Sequence, residues 1–197
     1  MTMLRSLLAS AGLALGALAA VPAQAQVEGR VATVDVTRTV MGTTALQTAY
    51  GQIDQTYAQQ IELRRVKTQE RQTLLATFDT NGDKQVDDAE LNAKQNTPDY
   101  AKLQTLEQEI TGLTNQIDSA RIYAIEQILV QYAPSLQEVI KTQQIKLLID
   151  PDSLLYYVAE ADVSPQVVAA LNAKVPSVGI VPPAGWQPSR EGLQTFQ

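Results

Sequence analysis

Between residues 45 and 78 the chain has no proline and one glycine, Gly51, and its apolar residues fall at helical spacing. Leu46, Tyr50, Ile53, Tyr57 and Ile61 recur at steps of three and four, which places them on one face of a helix. Val66, Leu74, Leu75 and Phe78 continue a weaker stripe. At ~1.5 Å per residue such a helix reaches about 50 Å, well beyond the span of a small core. A helix that long, apolar on one side, needs a partner along its length.

The partner follows in the sequence. Thr97-Pro98 supplies an N-cap and a first-turn proline. Leu103, Leu106, Ile110, Leu113, Ile117, Ala120 and Ala124 then alternate steps of three and four, a seam suited to side-by-side helix packing. Gly112 is a soft spot in that seam, costing about 1 kcal/mol relative to Ala. From Ile125 to Ile140 several faces become apolar, so this end enters a buried core, where Pro134 is expected to kink the helix. The two segments read as a long antiparallel helical hairpin over 44–142 with its tip near 79–97.

Short β-prone runs lie at both ends. Val31-Ala32-Thr33-Val34-Asp35-Val36 reads as a strand, followed by the breaker Gly42 and a helix cap at Thr43 or Thr44. Ile145–Ile149 reads as a second strand. Residues 154–158 read as a third, after the turn Asp150-Pro151-Asp152. Ser164-Pro165 opens a short helix with Val167, Val168 and Leu171 on its apolar face. The fold class is therefore α+β, mostly α. A small β body, made from 26–43 and 143–175, carries the hairpin. Residues 176–197, with Pro176, Pro182, Pro183 and Pro188, read as an extended tail whose largest apolar group is Trp186.

The first 25 residues have the layout of an export signal. Arg5 is the only charge before an apolar run from Leu7 to Val21, and Ala23-Gln24-Ala25 gives a small-x-small cleavage pattern. Cleavage after Ala25 would leave a chain that begins near Gln26, outside the cytoplasm, and no later run is apolar for long enough to span a bilayer.

Composition narrows the function. There is no His and no Cys, so the commonest general base, the commonest zinc ligand and any thiol nucleophile are missing. No carboxylate pair or Ser–Lys spacing replaces them, and no Gly-rich phosphate loop is present. The residues argue against an enzyme. Net charge is −6, and Arg64, Arg65 and Lys67 form a solvated helix face, not a nucleic-acid footprint.

The order of elements resembles the OmpH/Skp family of periplasmic chaperones for outer-membrane proteins. Val31-Ala32-Thr33-Val34-Asp35-Val36-Thr37-Arg38 is similar to that family's opening strand and turn. Ile145-Lys146-Leu147-Leu148-Ile149-Asp150 is similar to the strand after its second arm. Leu154-Leu155-Tyr156-Tyr157-Val158 and Asp162-Val163-Ser164-Pro165-Gln166-Val167-Val168-Ala169-Ala170-Leu171-Asn172 are similar to its closing strand and helix. The resemblance covers most of 31–175, with the arms matching by pattern. It implies a periplasmic homotrimer whose helical arms hold unfolded outer-membrane proteins without ATP or any required cofactor. One departure is charge: the best-known members are basic, whereas this chain is acidic.

The tip contains a second signal. In Phe78-Asp79-Thr80-Asn81-Gly82-Asp83-Lys84-Gln85-Val86-Asp87-Asp88-Ala89-Glu90-Leu91, Asp79, Asn81 and Asp83 take the first, third and fifth positions of an EF-hand loop. Gln85 would offer its carbonyl, Asp87 would act through water, and Glu90 would close the loop as the bidentate carboxylate. Lys84 stands at the sixth position, which favours Gly. The loop reads either as a calcium site or as a carboxylate-rich turn between two solvated helices.

Three functions remain open. One is an ATP-independent holdase. A second is a calcium-responsive binding module acting through the tip. The third is a structural coiled-coil envelope protein. Leu46, Tyr50 and Tyr57 share one stripe and are expected to pack inside the hairpin, not on clients.

Overall fold

The computed structural model describes residues 29–197, so the export signal read over 1–25 lies outside the described residues. The described residues are mostly α with one two-stranded sheet. Strand β1 is Arg30–Thr33 and strand β2 is Ile145–Ile149. They pair in parallel, with Val31 opposite Leu147, Ala32 opposite Leu148 and Thr33 opposite Ile149. Parallel strands need a long crossover, and here every helix of the arm lies between them. The Arg30 guanidinium ties the strand start to the Gln143 side chain and the Glu160 carbonyl.

β1 is shorter than the expected 31–36 run because Asp35 caps a helix. Its carboxylate accepts the Arg38 N–H at 2.8 Å, which starts α1 (Val36–Met41). Thr43 precedes α2 (Thr44–Thr56), but its hydroxyl donates back to the Val40 carbonyl at 2.8 Å and does not cap. The first N–H of α2 is met by the Asn172 side chain at 2.9 Å.

The long helix expected over 45–78 is interrupted at Tyr57 (φ −100°, ψ 15°) and resumes as α3 (Ala58–Ala76). The interruption is mild, since Tyr57 N–H still reaches the Ile53 carbonyl at 2.8 Å and Ile61 N–H reaches that of Tyr57 at 2.9 Å. After the tip come α4 (Asp88–Lys94) and α5 (Pro98–Thr142). The Thr97 hydroxyl caps α5, accepting from Tyr100 N–H, and the helix runs through Pro134 as one element. Ion pairs order the arm: Arg121 with Asp54 at 3.4 Å, Lys67 with Glu109, and Lys102 with Glu70 at 2.7 Å. Partners on α5 fall in number as those on α2 and α3 rise, so the two sides run antiparallel.

Two apolar clusters hold this together. The larger joins the sheet to the arm root through Ala32, Val40, Leu46, Ile125, Ile128 and Val167. The smaller, Ile53, Tyr57, Ile117 and Ala120, lies farther along the arm. Leu46, Ile53 and Tyr57 are buried and Tyr50 half-buried, as packing residues should be. Val66, expected to extend that stripe, is instead 44% exposed, and α3 has no buried residue at all.

Two expectations at the C-terminal side are corrected. Residues 154–158 form no strand; they lie between single-turn helices at Pro151–Ser153 and Ala159–Ala161. The place beside β1 is taken by Asp162 and Val163, whose N–H donates to the Thr33 carbonyl at 2.9 Å. β-prone side chains need a partner edge, and among the described residues none faces 154–158. Helix α6 (Ser164–Lys174) then follows with Val167 and Leu171 buried. Ser164 is its first residue, not its cap, and its hydroxyl accepts the Asp35 N–H at 3.0 Å.

The second correction concerns the tail, which does not trail away. Val178 and Ile180 pack on the core, and α7 (Arg190–Phe196) sits against α5 and α1. Ser189 caps α7 by accepting the Gly192 N–H at 3.0 Å. The four prolines suggested an extended segment, but that cap lies beyond the last of them. Among the described residues, no helix is long and apolar enough to cross a membrane.

Candidate functional site

The tip loop is folded by its own polar side chains. The Asp79 carboxylate accepts the N–H groups of Gly82 at 2.6 Å and Lys84 at 2.8 Å, pulling the chain into a tight turn. Gly82 (φ 80°) and Lys84 (φ 65°) both take the left-handed conformation. Gly82 adopts it freely, whereas Lys84 brings its Cβ against the following carbonyl. Asn81 Oδ1 accepts the Asp83 N–H at 2.8 Å, and Asp83 Oδ1 accepts that of Gln85 at 2.8 Å.

Glu90 closes the loop from α4 and is 7% exposed. Its Oε1 accepts from Thr80 N–H at 2.6 Å, the Thr80 hydroxyl at 2.8 Å and Asn81 N–H at 3.2 Å. Oε2 accepts the Asp87 N–H at 3.3 Å, while Asp87 Oδ1 accepts the Glu90 N–H at 2.9 Å, a reciprocal capping box. Donors from Thr80, then Asp87 and Asn81, hold the Glu90 carboxyl below its ordinary value against the opposing effect of burial. Thr80 was not singled out in the sequence, because nothing local marks a hydroxyl that points ten residues forward.

The six candidate ligands are thus brought into one loop, but their hydrogen bonds are mainly to backbone N–H groups. Among the described residues, no three acidic side chains converge where a metal ion could sit. The donor set fits a hard cation in kind where a carboxylate oxygen accepts one N–H and keeps a further lone-pair direction, whereas Glu90 Oε1, with three donors, is fully engaged within the loop. Phe78 anchors the loop, fully buried, with the Lys94 ammonium 5.8 Å from its ring centroid. Beside it, Leu75, Ala76, Val86 and Leu91 line an apolar groove of about 550 Å³.

Two other surfaces are apolar and uncovered. On α3, Leu63 (46% exposed) and Val66 edge a shallow face with Ala58. On the body, Leu155 is fully exposed and Tyr156 is 79% exposed, flanked by Tyr157 and Val158.

No protein-family model matches this chain, and no curated protein matches it. Among solved structures, it is similar to the crystal structure of a candidate outer membrane chaperone, OmpH-like, from Caulobacter crescentus CB15. The identity is 17%, the TM-score is 0.47, and the match covers 78% of this chain and 89% of that one.

Proposed function

We propose that the chain is an exported, ATP-independent holdase of the periplasm that keeps unfolded outer-membrane proteins soluble against its helical arm. The observation that carries this reading is the burial pattern of the arm. Its root is packed around Leu46, Ile125 and Ile128, and the next stretch around Ile53 and Ile117, whereas α3 has no buried residue and leaves Leu63 and Val66 in solvent. A thin pair of helices with uncovered apolar residues can hold an unfolded chain by many weak contacts. Such contacts need no catalytic group and no nucleotide.

The working assembly is a homotrimer formed through the body. In support, 154–158 presents Leu155, Tyr156 and Val158 to solvent next to a two-stranded sheet. Small bodies of this kind bury too little apolar area alone, and association remedies that. The test is the solution mass of the purified protein, combined with aggregation of a denatured β-barrel protein at stoichiometric ratios. A trimer that suppresses aggregation supports the reading. A protein that binds one folded partner and leaves unfolded chains to aggregate is a structural envelope component instead.

A second reading concerns the tip: calcium binding by Asp79, Asn81, Asp83, Gln85, Asp87 and Glu90. It is favoured by Lys84 holding the left-handed backbone that the sixth loop position requires, with Glu90 closing from the twelfth. Calcium would draw the carboxylates inward and stiffen the tip. Titration calorimetry of the protein and of Glu90→Gln with calcium tests it, and equal heats would end it.

A further inference from the structure

At Gly179 the C-terminal tail lies on α5 through contacts that read backbone, not sequence. Both ends of the Gln127 amide are used on one residue: Gly179 N–H donates to Oε1 at 2.8 Å, and Nε2 donates to the Gly179 carbonyl at 2.9 Å. A Cβ added at Gly179 would sit 3.5 Å from Gln127 Oε1 and from the Tyr123 ring, an ordinary contact. The backbone contact there therefore does not require glycine for want of room at the Cβ. On either side of it, Val178 and Ile180 pack on the core, and Ile180 touches both apolar clusters. A non-helical segment with apolar residues at alternate positions is what this face accepts.

The tail is kept there by a small latch. One carboxylate, Glu126, receives the Trp186 indole N–H at 3.0 Å and the Ser189 N–H at 2.5 Å. The Tyr123 ring meets Trp186 edge-on, with centroids 5.5 Å apart. Gly192 lies so close that a Cβ there would fall 2.6 Å from Glu126 Oε1. Prolines at 176, 182, 183 and 188 disfavour a helix across the segment that precedes α7.

We propose that the α5 face around Tyr123 and Gln127 is a docking site for extended, apolar-alternating unfolded polypeptide, occupied in the free protein by the chain's own tail. This rests on the holdase reading, because the displacing ligand is a client segment. The tail is an internal competitor, so only clients that outbid Val178 and Ile180 gain the site.

Trp186 is the single tryptophan of the chain and reports directly on the latch. The experiment titrates the whole protein with a urea-denatured β-barrel polypeptide whose tryptophans have been replaced by phenylalanine. Expected is a red shift of Trp186 emission on client binding. Affinity should be about fivefold tighter in Gly192→Ala and in a chain ending at Ser177, because the competitor is weakened or gone. Gln127→Ala in the shortened chain should lose several-fold in client affinity. If the shortened chain does not fold, Gly192→Ala in the full-length protein decides. Client binding with unchanged Trp186 emission and unchanged affinity in Gly192→Ala overturns the docking site and leaves the holdase standing. Absence of client binding in both whole and shortened chains overturns both.

Discussion

The backbone N–H of Lys84 donates to Asp79 Oδ2 at 2.8 Å from a left-handed conformation with φ 65°. The loop's turn is thus made by a residue that resists it. A left-handed L-residue costs roughly 1–2 kcal/mol, partly offset because Gly has more unfolded-state entropy to lose, about 0.5–1 kcal/mol. Lys84→Gly should therefore stabilise the protein by about 0.5–1 kcal/mol in urea unfolding. Under the calcium reading it should also raise calcium affinity, which calorimetry measures.

Glu90 makes the tip sensitive to acid. Its carboxyl is held below 4.5 by the N–H and hydroxyl of Thr80 and the N–H groups of Asp87 and Asn81. A depressed carboxyl stabilises the fold fully above its unfolded value, and that contribution is lost as pH falls through the lower folded value. Amide shifts of Thr80 and Asn81 should titrate with a midpoint below 4.5, and Glu90→Gln should flatten them. A midpoint at or above that value would contradict the closed loop.

Stability and client holding should separate along the arm. Ile53 is fully buried, so Ile53→Ala should cost about 2–5 kcal/mol in denaturant unfolding. Leu63→Ser with Val66→Ser changes exposed positions and should shift stability by only about 0.5 kcal/mol each way. The same double variant should weaken suppression of client aggregation, because it removes apolar contacts that the fold itself does not use.

The body makes the corresponding prediction for assembly. Leu155→Ser with Tyr156→Ser alters side chains that touch little within the chain. Circular dichroism should be unchanged, while light scattering should report a monomer in place of the proposed trimer. A trimer of unaltered mass would remove 154–158 from the interface.

Features encoded by neighbouring residues were legible in the sequence. The Thr97-Pro98 start of α5, the strand at Ile145–Ile149 and the packing stripe through Leu46, Ile53 and Tyr57 all stand where cap, β-branching and periodicity put them. At the candidate site the loop residues were legible for the same reason, since their register lies within one short stretch. The hydroxyl of Thr80 on Glu90 was not, because it depends on how the loop closes.

Only the tertiary structure decided who pairs with whom. The run 154–158 has the side chains of a strand, yet Val163 takes the place beside Thr33. The prolines of the tail suggest a free segment, yet Glu126 and Gln127, more than fifty residues earlier, hold it on α5. Local propensity acts over a few bonds and is written in adjacent residues. Docking depends on surfaces assembled from distant ones, and these exist only once the chain has folded.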